Sequence, residues 1–260
     1  MDLILQELIN NIFFEKMSLP KLNLHIHTTY SDGKNSINQI VKTAIKLGLD
    51  YICITDHFSN SWKSKIIPTL NNLDKVERYL EEISHCQAYI LKKNRKLNLF
   101  KGVEIDISSS ESYIINNIHP NKFDLILFEY LENLEGIAFI KNLIETWMRD
   151  RRNSDKFPLL GLAHFDPSFF MLGGFNVLLG FLKQYNIIIE FNSSYPRFYS
   201  RKYEIFFNKL KKNGIMVSIG SDSHHLSDLK DVEGAYEMIK YYNLEDNLKN
   251  LINSLEVRKN

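Results

Sequence analysis

The segment LNLHIHTTYSDG (residues 22–33) is an apolar run that ends in two histidines one residue apart and then breaks at Asp32-Gly33. On a strand, residues two apart face the same side, so His25 and His27 offer both imidazoles to one point. Imidazole suits Zn, Fe and other transition ions, and carboxylate oxygens extend the choice to Mn and Mg. Taken alone, His-x-His is weak, because two hydrogen-bonded histidines give the same pattern. Asp32-Gly33 also reads simply as a tight turn. The weight comes from how the pattern continues along the chain.

Six further apolar runs follow Leu22–His27: Tyr51–Asp56, Leu99–Ile105, Phe123–Phe128, Leu159–His164, Ile187–Phe191 and Met216–Gly220. Helix-like stretches separate them, at Ser36–Leu47, Leu70–Lys93, Leu134–Arg149, Asn176–Tyr185, Tyr199–Lys212 and Asp231–Tyr241. Strand alternating with helix predicts a parallel sheet. Each run finishes in a residue able to bind metal or substrate. Asp56 and His57 end the second, Glu104 the third, His164 the fifth and Asn192 the sixth. Glu129 follows the fourth, and Asp222 with His224 follow the seventh. In a β/α barrel functional groups gather on the C-terminal face of the strands. In an open doubly wound sheet, polar strand ends far from the switch point do not converge. The pattern therefore predicts a closed or nearly closed α/β barrel.

Composition narrows the function classes. Lys plus Arg is 32 against 31 for Asp plus Glu, a net charge of +1, which lacks the basic excess of a duplex-wrapping protein. With 17 Phe and 13 Tyr in a near-neutral chain, intrinsic disorder is excluded. Two cysteines, Cys53 and Cys86, make no disulfide framework, so the expected compartment is reducing and cytoplasmic. The N-terminus has no basic n-region, and no apolar run approaches ~18 residues, so neither a signal peptide nor a membrane partner is expected. Leu3, Ile4, Leu8, Ile9, Ile12 and Phe13 recur at helical spacing. They predict an amphipathic helix over residues 1–20, packed on a barrel domain spanning 21–260, with a dimer contact, a partner site or a membrane-surface helix as the alternatives.

The strand-end motifs together resemble the PHP (polymerase and histidinol phosphatase) family. They are His25-x-His27-x-x-Tyr-Ser-Asp32-Gly33, Thr55-Asp56-His57, Gly102-Val-Glu104, Ala163-His164, Ile189-Glu-Phe-Asn192 and Gly220-Ser-Asp222-Ser-His224, from about residue 21 to residue 240. The resemblance implies a distorted seven-stranded (β/α)7 barrel, TIM-like, with two or three divalent ions (Mn, Zn, Fe or Mg). It implies that His25, His27, Glu104 and Asp222 hold one ion. Glu104 would bridge to a second, also bound by His164, and Asp32, His57 and His224 would hold a third. Glu104, Asp222 and His57 would stand at the catalytic centre. The chain departs from the family at the fourth strand, where a metal-binding His is usual and Phe123–Glu132 has none. Glu129 is expected to supply an oxygen in its place, or a water does; the alternative is a plain loop residue and one ion fewer. His85, His119 and His225 read as surface or structural histidines.

Such a cluster serves phosphate-ester hydrolysis: metals ~3.5–4 Å apart activate water and clamp the phosphoryl oxygens. The general acid is open, with Asp56 and His225 as candidates. Arg197 and Arg201, after the sixth run, could fork onto a phosphate, and Asn192 could bind substrate or orient a ligand. Tyr30 and the group Trp62, Lys63 and Lys65 are candidate pocket walls. The expected function is a metal-dependent phosphoesterase acting on a small phosphorylated substrate, with histidinol phosphate as one candidate. The alternatives are an exonuclease-like enzyme acting on short single-stranded oligonucleotides, an amidohydrolase, which would lack the Asp-His ending on the second strand, and a non-catalytic module that keeps the fold.

Overall fold

The apolar runs form parallel strands, as their alternation with helices requires. They are β1 (Leu22–Ile26), β2 (Tyr51–Ile54), β3 (His57–Phe58), β4 (Asn98–Asp106), β5 (Leu125–Glu129), β6 (Leu159–Leu162), β7 (Ile188–Asn192) and β8 (Val217–Gly220). These come from a computed structural model that describes residues 19–150 and 157–258. The helix expected over 1–20 lies, apart from Leu19 and Pro20, outside the described residues. The strands run in the order β1-β2-β4-β5-β6-β7-β8, with β3 beside the upper part of β4.

The expected second strand, Tyr51–Asp56, is broken in two. β2 pairs with Asn98–Lys101 and β3 with Glu104–Ile105. Between them Thr55 turns to β1, its N–H donating to the Ile26 carbonyl at 2.8 Å. Tyr79 repairs the break from the helix behind it. Its hydroxyl lies 2.9 Å from the Ile54 carbonyl and 2.8 Å from that of Gly102, and accepts from the Asp56 N–H at 3.4 Å. The break sets His57 opposite Glu104 in the β3–β4 register.

No regular ladder joins β1 to β8. The seam closes at its upper end, where the Ser223 carbonyl accepts from the His27 N–H at 2.9 Å and the Ser223 N–H donates to His25 at 3.2 Å. Asn23 fills the seam below. Its side-chain amide donates to Ser221 Oγ at 2.7 Å and Ser223 Oγ at 3.2 Å, and its oxygen accepts from the Ser221 N–H at 3.2 Å. The result is a nearly closed barrel of seven principal strands, as the runs predict.

Helices cover the outside. The first, α1 (Ile37–Leu47), starts in a capping box of Ser36 and Gln39 and stops at Gly48, whose φ of 68° suits glycine. Ile37, Ile40, Val41 and Ala44 form its buried stripe. Then come α2 (Leu73–Lys92), α3 (Glu111–Asn117), α4 (Leu134–Arg149), α5 (Ser168–Met171), α6 (Phe175–Gln184), α7 (Glu204–Lys212), α8 (Glu233–Tyr241) and α9 (Glu245–Val257). The expected helix from Tyr199 begins instead as two 3-10 turns, Pro196–Tyr199 and Arg201–Tyr203. Neither α3 nor α9 is among the helices expected from sequence. α3 buries only Ile114, too little for a periodic signal, whereas Leu248, Leu251 and Leu255 give α9 a clear stripe against β8. No described helix is long and apolar enough to cross a membrane.

The approach of β2 to β4 leaves no space at Gly102. A Cβ there would lie 2.5 Å from Cys53 Sγ and 2.7 Å from the Ile54 carbonyl. Gly102→Ala is expected to cost about 1–3 kcal/mol and to lower the thermal unfolding midpoint by several degrees. An unchanged midpoint would show that the two strands can separate freely.

Candidate active site

The C-terminal ends of the strands carry the polar residues, and the side-chain alternation of each strand turns them inward. On β1 this brings His25 Nε2 and His27 Nε2 to 3.0 Å of each other. Two ring nitrogens that close have use for a shared cation. The tautomer of His25 is set from behind: its Nδ1 lies 2.9 and 3.2 Å from the two oxygens of Glu190 on β7. In the neutral ring, donation there turns the Nε2 lone pair to the cluster, the usual way a metal-binding imidazole is oriented. Glu190 also accepts the backbone N–H of His164 at 2.7 Å. His224 is fixed similarly, its Nδ1 2.8 Å from the Asp222 carbonyl and its Nε2 3.2 Å from Asp32.

Three groups of donors result, each with its atoms within 4.8 Å of one another: His25, His27 and Asp222; His27, Asp32, His57 and His224; and His57, Glu104 and Glu129. Glu104 stands between them. Its Oε1 is 3.3 Å from His25 Nε2 and 3.1 Å from His164 Nε2, and its Oε2 is 2.6 Å from His57 Nδ1. Asp32 Oδ1, Glu104 Oε2 and Asp222 Oδ1 are buried acceptors that face the ring nitrogens of His224, His57 and His27 at 3.2, 2.6 and 2.8 Å without the alignment of a hydrogen bond. An unsatisfied buried acceptor costs about 1–3 kcal/mol, more when charged, and a bound cation offsets that cost. The donor set therefore fits divalent metal ions. With no cysteine in it, the ligands would be nitrogen and oxygen.

Burial opposes charge on the imidazoles, yet the surrounding carboxylates raise His25, His57 (to about 10), His164 and His224, so the metal-free cluster takes up protons that a metal ion would displace. Burial, aided by the neighbouring His57, pushes His27 down to about 3, so its ring is neutral at pH 7. Burial works against the charge on Glu104, yet His25 and His57 hold its carboxyl well below the usual range. Asp222 is likewise held low, with His25 and His27 outweighing burial. Neutral imidazoles and ionised carboxylates are the forms that bind metal. Tyr130, His164 and Asp222, just past the ends of β5, β6 and β8, have φ of 68°, 31° and 50°. Left-handed backbone at non-glycine residues is strained and concentrates at functional sites.

All nine residues expected to bind metal, His25, His27, Asp32, His57, Glu104, Glu129, His164, Asp222 and His224, meet at this rim. Their grouping differs from expectation: Glu104 groups with His57 and Glu129 rather than with His25, His27 and Asp222, His27 also joins Asp32, His57 and His224, and His164 falls in none of the three groups. His164 faces Oε1 of Glu104, whereas Glu129 is reached from the Oε2 side, 3.5 Å from His57 Nδ1. Glu129 is no loop residue: it ends β5 and is fully buried. Its two oxygens lie 2.7 and 2.6 Å from Nζ of Lys63.

The cluster opens into a cavity of about 460 Å³, lined by Lys63, Tyr130, Glu132, Asp166, Phe169, Tyr195, Arg197 and Phe198 among others. Arg197 lines it as expected, whereas Arg201 lies over the Tyr241 ring at 4.5 Å and is not part of the lining. Asn192 is buried beside His25, its amide nitrogen 3.4 Å from Nδ1, and is not part of the lining. Neither candidate general acid reaches the cavity. Asp56 is fully buried and accepts from Thr28 and Ser31, holding the loop after β1, and His225 caps the 3-10 turn Leu226–Lys230. Tyr30 packs edge-on against Tyr79. Trp62 is largely exposed beside Tyr130, and Lys65 is exposed. Sequence reasoning missed Glu190 and Tyr195. The signal for Glu190 was present, a carboxylate two residues before Asn192 in an apolar strand. Tyr195, whose hydroxyl donates to Asp222 at 3.3 Å, gave none.

A nearly closed parallel barrel with imidazoles and carboxylates converging on its C-terminal rim defines a metal-dependent hydrolase. More particularly, the chain belongs to the PHP family: the PHP domain matches residues 23–258, reaching past the expected limit near 240 to include α9. It is 26% identical over 240 residues to a probable histidinol-phosphatase of Thermotoga maritima, covering 86% of this chain and 93% of that protein. It is 23% identical over 223 residues to the DNA polymerase/3'-5' exonuclease PolX of Bacillus subtilis, covering 82% of this chain but only 36% of that protein. Its fold resembles a histidinol phosphate phosphatase of Lactococcus lactis solved with zinc, L-histidinol and phosphate. The TM-score is 0.57 at 20% identity, covering 86% of this chain and 94% of that one.

If Glu190 fixes the tautomer of His25, Glu190→Gln should weaken metal binding about 10–100-fold while the barrel stays folded. Metal titration of the apoprotein followed by calorimetry measures this. Equal affinity in both proteins would reduce Glu190 to a packing residue.

Proposed function

We propose that this protein hydrolyses a small phosphomonoester, with histidinol phosphate as the favoured substrate. The observation that carries the reading is the convergence of three imidazole–carboxylate groups at the floor of one cavity of about 460 Å³, a volume suited to a small molecule. Bound divalent ions supply an activated water and neutralise phosphoryl charge. The imidazole-rich set favours Zn, Mn or Fe.

The chain's own residues do the rest. Glu104, between the donor groups, holds them in register from near the C-terminal end of β4. Arg197 projects into the cavity, held over the Phe198 ring at 4.8 Å, and offers a fork of N–H donors to phosphoryl oxygens. Tyr195 keeps its phenol proton, because burial and the Asp222 carboxylate both oppose its loss, and uses it to hold Asp222. Glu132 and Asp166 on the wall provide carboxylates for the ammonium of an amino alcohol, and Phe169 with Tyr130 provides surface for a ring. The similarity to the Thermotoga maritima and Lactococcus lactis proteins supports histidinol phosphate in particular.

A second reading, removal of nucleotides from the end of a short single strand, draws support from the similarity to the PolX protein. The aromatic wall of Tyr130, Tyr195 and Phe198 could stack bases. One panel separates the two readings: histidinol phosphate, other phosphomonoesters and short oligonucleotides, assayed beside metal analysis of the purified protein. The phosphomonoester reading requires kcat/KM for histidinol phosphate, or a similar small ester, to exceed that for any oligonucleotide.

Activity should disappear on chelation and return on adding zinc or manganese, and an enzyme indifferent to chelator would exclude the metal reading. His27→Ala breaks two donor groups at once. It should lose at least one bound ion and lower kcat by about 10²–10³-fold, since the ion that His27 would hold stabilises charge that develops in the transition state.

A further inference from the structure

The third donor group differs from the other two in holding a cation of its own. Lys63 Nζ lies 2.7 and 2.6 Å from the oxygens of Glu129 and 3.3 Å from His57 Nδ1. It also stands over the Tyr130 ring, 4.9 Å from the centroid. Its side chain is only 9% exposed, so this is no flexible surface lysine folded over the rim. The position is built. Lys63 sits in a one-turn 3-10 helix, Trp62–Lys65, capped by Ser61, whose Oγ accepts the Lys63 N–H at 3.2 Å. Ser61 and Ser59 both donate to Asp106 at the end of β4, which ties the turn to the barrel.

Both oxygens of Glu129 are therefore turned to an ammonium, and His164 faces the opposite oxygen of Glu104. The ammonium already neutralises Glu129 and places its positive charge beside the position an ion would take in this group, so it repels a divalent cation there. We propose that Lys63 takes the place of one ion: its ammonium, clamped by Glu129, supplies the positive charge at the third donor group and faces the phosphoryl oxygens of the substrate. The centre then holds two metal ions and one fixed organic cation. Lysine suits the task, being a compact point charge with three donors: two bind Glu129, and with His57 Nδ1 turned to Glu104 Oε2 at 2.6 Å the third N–H is left for the cavity. This assignment rests on the metal-dependent phosphoesterase reading and deepens it.

The direct test is a zinc count by mass spectrometry after gel filtration of protein loaded in excess zinc. The wild-type chain should carry two ions. Lys63→Met frees Glu129 and should raise the count to three. Three ions in the wild type, or two in Lys63→Met, would overturn the assignment and leave the metal-centre reading intact. A wild type that retains no zinc would overturn the metal-centre reading itself. Lys63→Met leaves Glu129 buried without its partner and could unfold, so the double variant Lys63→Met/Glu129→Gln removes both charges together. It should keep two ions and bind inorganic phosphate about tenfold more weakly than wild type by calorimetry. Unchanged phosphate affinity in the double variant would overturn the placement of the ammonium toward substrate.

Discussion

The arrangement of the site depends on how the barrel closes between its first and last strands. β1 and β8 are nearly 200 residues apart in the chain and share no continuous ladder. They are held by Asn23, Ser221 and Ser223 and by two backbone bonds at the rim. An amide at this seam contributes donors and an acceptor where a strand pair would have contributed backbone groups, so the polar interior is satisfied without a regular register. Because the backbone bonds fall at the rim, His25 and His27 are set against Asp222 and His224. Opening the seam would separate the donor groups before it disturbed any single ligand.

Two buried carboxylates support this frame without belonging to the cavity. Asp56 draws in the loop after β1 through Thr28 and Ser31, and so fixes the turn that carries Asp32. Glu190 reaches across the barrel to His25 and to the backbone of His164. Gly220 permits this reach, since a Cβ there would lie 2.6 Å from the His25 Cβ and within bonding range of the Glu190 carboxylate. Buried carboxylates are costly unless fully hydrogen-bonded. Both are bonded to groups that must not move, so the cost of burial goes with rigidity of the ligands rather than with direct contact to the reacting atoms.

Much of this was legible in the residues, for a physical reason. Strand ends recur at a regular place in the pattern, and alternation fixes which side chains face inward, so His25, His27, Glu104, His164 and Asp222 could be placed without coordinates. The break in the second strand was not legible, because it is decided by Thr55 turning to β1 and by a tyrosine from α2, both long-range contacts. Arg197 and Arg201 looked equivalent in sequence. Two successive 3-10 turns separate them in space, and the stacking of Arg201 on Tyr241 follows from a helix far along the chain.

Lys63 illustrates the same division from the other side. The strands supply ligands whose positions are set by the ladder, and a strand residue such as Glu129 can be read as pointing inward from its register alone. The loops supply residues whose reach depends on turn geometry, and no periodicity announces them. The carboxylate of Glu129 at the end of β5 is a buried negative charge, and such a charge must find a partner. The partner can come from a loop, because a loop can change its length and composition without disturbing the barrel. The loop after β3 meets that demand with a one-turn helix anchored on Asp106. The carboxylate and the lysine form one charge pair, divided between a rigid strand and an adaptable loop.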